Sequence, residues 1–183
     1  QGKMILSGHT PIKKTIVSPS IMGFFGYIPW LECYHGVISM SHQLNGSLTI
    51  NQKNIDFSQG KGYLEKDWGK SFPRAYVWMQ SNHFKDGETS LMFSYADIPF
   101  MKRYFRGLIV ILFYQQKEYR FATYNFAKVK QEVIEEHQVL YELKKGKYRL
   151  IIQATKDKDV ELASPRLGMM NQTIKEGLSG EIK

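Results

Sequence analysis

The chain has 183 residues, 43% hydrophobic and 14% aromatic, and carries 25 Lys and Arg against 17 Asp and Glu, a net charge of +8. This is one domain's worth of chain, able to bury roughly 70% of its unfolded surface without a disulfide or metal, and too apolar to stay disordered. The single cysteine, Cys33, excludes an internal disulfide framework and a multi-cysteine zinc site, and the apolar run Leu108–Tyr114 falls far short of the ~20 residues of a membrane-spanning helix.

Taken in order, the segments are those of an all-β chain: short alternating runs separated by Gly, Asn, Asp and Lys turns. Residues 36–50 place Ile38, Met40, His42 and Leu44 on one face, with a bulge or turn at Asn45-Gly46. His42 on such a face reads as a core histidine. The chain turns at Asn51–Lys53 and runs on through Gly62–Asp67, Ala75–Phe84 and Ser90–Ile98, with Asp86-Gly87 as a hairpin turn. Leu108–Tyr114 is apolar on both faces, which predicts a central strand or one that faces a greasy ligand. Gln115–Lys117 turns it into Tyr119–Tyr124.

Residues 128–145 fit either a helical face or two strands broken near Glu135–His137, and strands suit the antiparallel context. Tyr148, Leu150, Ile152 and Ala154 mark a later strand. An alternation of Leu178, Gly180 and Ile182 is still running at the end, and the chain opens on Gln1. Both ends read as those of a fragment, with 1–183 a single β domain.

A basic chain suits nucleic acid, an anionic membrane surface or an acidic ligand. No RNP1 element, KH loop or zinc finger accompanies the charge, so nucleic acid is not expected. Lys102, Arg103 and Arg106, interleaved with aromatics, could touch an anionic membrane. The expected location is cytoplasmic or peripheral to a membrane.

The unusual chemistry lies in residues 62–84. Period two puts Tyr76, Trp78, Gln80, Asn82 and Phe84 on one strand face, with Val77, Met79, Ser81 and His83 opposite. Aromatics mixed with amides make a poor dry core but a good wall for an amphipathic ligand. Tyr63, Glu65 and Asp67 share one side of the preceding strand. His35, near Cys33 and Glu32, reads as a polar rim of such a pocket; the scattered ligands lack the spacing of a metal site, and no metal is expected. Cys33 has no partner base and reads as buried and inert.

The run Gly62-Tyr63-Leu64-Glu65-Lys66-Asp67-Trp68-Gly69, then Ser71-Phe72-Pro73 and Trp78-Met79-Gln80-Ser81-Asn82-His83-Phe84, resembles the tocopherol cyclase family. So do Ser18–Gly23, Glu32–Gly36, Phe105–Gly107 and Tyr119–Asn125. The resemblance runs over most of the chain, on what looks like the carboxy-terminal part of a longer, two-lobed protein. It implies an antiparallel lipocalin-like barrel or strongly curved sheet, related in shape to carotenoid 1,2-hydratase proteins. It also implies closure of a chromanol ring on a prenylated quinol, with no redox cofactor.

That chemistry needs a strong acid in a dry site. Glu65 and Asp67 could share a proton as a pair, or could simply be ion-paired with Lys66, Lys70 or Arg74. The resulting cation needs aromatic faces, offered by Trp68, Tyr76 and Trp78. Gln80 and Asn82 suit quinol hydroxyls, and His83 could take the phenolic proton, although periodicity puts it on the wrong face. The alternatives are a non-catalytic carrier of a hydrophobic ligand and a structural barrel module.

Overall fold

The computed structural model describes residues 1–100, 103–177 and 179–183. Strands β1 (Gly2–Ser7), β2 (Cys33–Ile50), β3 (Lys53–Asp56) and β4 (Gly60–Gly69) form one sheet in which the long β2 pairs with the other three. Strands β5 (Tyr76–Ser81), β6 (Ser90–Phe100), β7 (Arg103–Tyr114) and β8 (Lys117–Ala122) follow one another across a second sheet. Strands β9 (Lys128–Ile134), β10 (Gln138–Lys145) and β11 (Tyr148–Lys156) begin a third. A ribbon of β12 (Asp159–Arg166) and β13 (Met169–Gly177) follows, and β14 (Gly180–Ile182) returns to pair with β11. Every pairing among the described strands is antiparallel. Among the described residues no helix is long and apolar enough to cross a membrane.

The second sheet is the middle layer. Leu91, Phe93, Leu108 and Val110 on one face bury against Tyr141, Leu143 and Ile152 of the third sheet. Met92 and Ile111 on the other face bury against Met40 of β2 and against Ile12 and Ile21 of the segment before it. Each such side chain contributes about 1.5–3 kcal/mol. This two-sided burial is why residues 108–113 are apolar at every position: they lie in the middle layer, while Tyr114 at the strand's end is exposed.

Residues 128–145 are two strands, broken between Ile134 and Gln138 as expected. The turns after β2 and β7 use left-handed backbone at Asn51-Gln52 and Gln115-Gln116. The alternation expected along β2 breaks down, however. Its register slips against β4 between Val37 and Ser39 and again between Ser39 and His42. Ser39 and Met40 are therefore both buried, while Ile38, expected beside Met40, is half exposed. His42 is buried as expected, its Nδ1 3.3 Å from Ser39 Oγ. Strand β5 ends at Ser81, short of the expected Phe84, and neither β1 nor the β12–β13 ribbon is among the elements expected from the sequence. Leu178 lies outside the described residues.

Candidate functional site

A cavity of about 710 Å³ lies at the free edge of β5, between the first and third sheets. Strand β5 lines it with residues of both faces, Tyr76, Trp78 and Gln80 as well as Val77, Met79 and Ser81, and β2 and β4 supply His35, Glu65 and Asp67. Strand periodicity and pairing explain the acid–histidine group. Glu65 and Asp67 are two apart on β4, and His35 lies directly opposite Asp67 in the β2–β4 register. The far wall comes from the β9–β10 turn, from the end of β13 and from Ser179 with β14.

His35 stands between the two carboxylates. Its Nδ1 is 2.5 Å from Asp67 Oδ1, and its Nε2 faces Glu65 Oε2 at 3.6 Å, beyond hydrogen-bonding distance. That Nε2 is buried and has no hydrogen-bond partner. The ring is fixed from behind as well, because the His35 backbone N–H donates to Met22 Sδ at 3.2 Å. The Tyr63 hydroxyl donates to Glu65 Oε2.

The electrostatics follow from this packing. Burial pushes the Glu65 carboxyl above its ordinary value; the His35 charge and hydrogen bonds from Tyr63 and Trp78 pull it back only in part. Burial works against a charged His35 ring, but the hydrogen bond and charge of Asp67, with the charge of Glu65, outweigh it and hold the ring above its ordinary value. Burial also raises the Tyr63 hydroxyl and pushes the Cys33 thiol up to about 12, so Cys33 stays protonated. Donor atoms of His35, Glu65 and Asp67 all lie within 4.8 Å of one another, so the three could in principle hold a metal ion. Their present arrangement turns each ring nitrogen to a different carboxylate.

The residues singled out from the sequence divide. Glu65, Asp67, His35, Tyr76, Trp78 and Gln80 line the cavity together, and the Gln80 Nε2 is buried without a partner. Trp68 does not join them. It follows Asp67 by one residue and takes the opposite face of β4, where it stacks on Tyr34 at 5.4 Å and 9°. Asn82 is buried, donating to the Gly62 carbonyl at 2.9 Å, and so ties the end of β5 to β4. His83 is exposed beyond the strand, its N–H on Ser81 Oγ. Among the described residues, the expected ion pairs of Glu65 and Asp67 with Lys66, Lys70 or Arg74 do not form; Arg74 pairs with Asp97 at 2.8 Å. Of the cations expected at a membrane, Arg106 pairs with Glu132 at 2.7 Å, Arg103 is exposed, and Lys102 lies outside the described residues. Tyr63 reads from the sequence only as a neighbour of Glu65 on the strand face. Met22 and the far wall reach the cavity through long-range packing that no local pattern announces.

A sequence profile described as tocopherol cyclase-like matches residues 12–183. The chain is 31% identical over 74 residues to a chloroplastic tocopherol cyclase of Zea mays, a match covering 39% of this chain and 16% of that protein. It is 28% identical over 74 residues to a probable chloroplastic tocopherol cyclase of Oryza sativa subsp. japonica, with the same coverage of each chain. No solved structure matches it. With a profile match from Ile12 to the last residue, over a site built from the very run that carries the resemblance, the chain belongs to the tocopherol cyclase-like family.

Proposed function

We propose that the cavity binds a prenylated aromatic alcohol and that Glu65 closes its ring. Glu65 protonates the alkene of the prenyl chain, leaving a tertiary cation. The phenol oxygen captures that cation, and the phenolic proton returns to the vacated Glu65 carboxylate. The net change is an isomerisation, with no cofactor consumed. The observation that carries this reading is a partly buried carboxyl, raised above its ordinary value by desolvation, that faces a cavity lined in part by aromatic rings.

The surrounding groups fit the two halves of that task. Desolvation favours the protonated form of Glu65. Tyr63, Trp78 and the His35 charge stabilise the carboxylate that reaction leaves. The Trp78 and Tyr76 rings can face the cation. The unpartnered Gln80 amide can donate to an oxygen of the aromatic head group. A non-catalytic carrier would need none of the proton chemistry around Glu65. A lipocalin-like closure of the sheets around the ligand is part of the proposal.

The test begins with native mass spectrometry of the purified chain for a co-purified prenyl quinol or chromanol. Incubation with a prenylated hydroquinone follows, with detection of the cyclic ether. Formation of the chromanol, lost in Glu65→Gln, supports the enzyme. Tight binding without turnover at any pH would leave a carrier.

A further inference from the structure

A set of exposed apolar side chains gathers at the cavity's Cys33–Asp67 end. The Glu32 carbonyl accepts the N–H groups of both Lys70 and Ser71. Ser71 Oγ in turn accepts the N–H of Leu167, and the Lys70 carbonyl accepts that of Gly168. These bonds bring the tip of the β12–β13 ribbon against the Trp30–Glu32 segment and the end of β4. Trp30 is 75% exposed there, Leu167 79% and Met170 65%. Trp68 is half exposed beside them, its ring stacked on Tyr34, whose hydroxyl donates to the Ile28 carbonyl. Cys33, Asp67, Phe72 and Pro73, on the same segments, line the cavity.

The ribbon tip is an unusual place for leucine. Leu167 and Gly168 form a two-residue turn with φ of 52° and 83°. Such turns favour Asn, Asp or Gly, and a leucine there is strained without any gain from burial. Strain retained at an exposed apolar residue points to a use for it outside the chain.

The charges choose the partner. Lys66, Lys70 and Arg166 lie on these segments, and among the described residues none of them is in an ion pair. The acids on the same segments are Glu32 and Asp67, and Asp67 is held by His35. Exposed tryptophan, leucine and methionine between unpaired cations match the boundary between anionic headgroups and acyl chains.

We infer that this end of the molecule docks on an anionic lipid bilayer through Trp30, Leu167 and Met170, which sets the cavity mouth against the membrane. The face differs from the start of β7, whose Arg106 is already committed to Glu132. The inference is independent of the chemistry at Glu65, since a chain without turnover would dock as well.

The experiment is co-sedimentation of the full chain with vesicles of phosphatidylcholine alone or mixed with phosphatidylglycerol. Binding to the mixed vesicles, weakened by salt, is expected. The triple variant Trp30→Ser, Leu167→Ser, Met170→Ser should lose at least about tenfold in partitioning, because insertion of those side chains is what it removes. Lys70→Glu with Arg166→Glu should remove the preference for the anionic vesicles. Far-ultraviolet circular dichroism and thermal melts check that both variants fold. Equal binding by the folded triple variant, no binding of the native chain to either vesicle, or a face that binds only another protein surface would overturn the assignment.

Discussion

Asp67 holds His35 by its Nδ1 at 2.5 Å, which leaves the opposite ring nitrogen turned toward Glu65. The imidazole is therefore oriented by one carboxylate and presented to another. Because the ring's ordinary value of 6.5 is raised in the fold, its contribution to stability is fully present below pH 6.5 and is lost as pH rises through the raised value. His35→Gln removes that contribution. The difference in melting temperature between native chain and variant should be largest near pH 6 and shrink toward pH 9. A difference that stays constant over that range would mean that His35 does not titrate in this environment.

Glu65 and Asp67 have different tasks in this arrangement, so their amides should behave differently. Glu65→Gln removes the proton donor and should cost about 1,000-fold in turnover, within the usual range for a general acid. Asp67→Asn leaves the donor in place and weakens only the hold on His35. A charge-assisted hydrogen bond of about 1.5–3 kcal/mol corresponds to a loss of roughly tenfold to a hundredfold. Ligand affinity should be nearly unchanged in both. Steady-state kinetics and equilibrium titration with the same prenylated hydroquinone measure the two quantities. The reverse order of losses would make Asp67 the acid.

Tyr63 sets where that acid titrates. Its hydrogen bond to Glu65 favours the ionised carboxylate and lowers a value that burial has raised. Tyr63→Phe should raise Glu65 further. Turnover needs the protonated form, so activity falls as pH rises through the Glu65 value. The variant's descending limb should therefore lie at higher pH than that of the native chain. A profile displaced to lower pH, or not displaced, would separate Tyr63 from the acid.

Much of this is legible in the sequence where period two applies locally. Glu65 and Asp67 share a face because they are two apart, whereas β5, at the free edge of its sheet, lines the cavity with both faces, so alternation does not single out Tyr76, Trp78 and Gln80 there. The same rule, applied one residue further, keeps Trp68 off the wall. Asn82 and His83 lie beyond it because β5 ends at Ser81, so the strand's alternation no longer governs them. What stays hidden depends on pairing between distant strands. The register that sets His35 against Asp67 joins residues 32 apart. It also contains two slips, which overturn the simple alternation along β2. The β12–β13 ribbon lacks a recognisable turn motif, because its turn is Leu-Gly where Asn-Gly would be read at once.

Arg120 holds the amino-terminal segment onto the middle sheet. Its guanidinium donates to Glu118 Oε1, to the Lys13 carbonyl at 2.8 Å and to Ser18 Oγ at 3.0 Å. Glu118 Oε2 takes the Lys13 N–H at 2.7 Å, and its side chain is only 4% exposed. One side chain thus spans Lys13 to Ser18, next to Ile12 and Ile21 in the core and just ahead of Met22, which supports His35. Arg120→Ala would leave the Glu118 charge buried without its cation and should destabilise the chain by about 3 kcal/mol. Arg120→Lys should recover less than half, since a single ammonium cannot replace a planar fork that reaches Glu118, Lys13, Ser18 and Tyr124 at once. Urea unfolding measures both. A loss below about 1 kcal/mol for the alanine variant, the size expected of an exposed pair, would show that the segment is held by its apolar contacts alone.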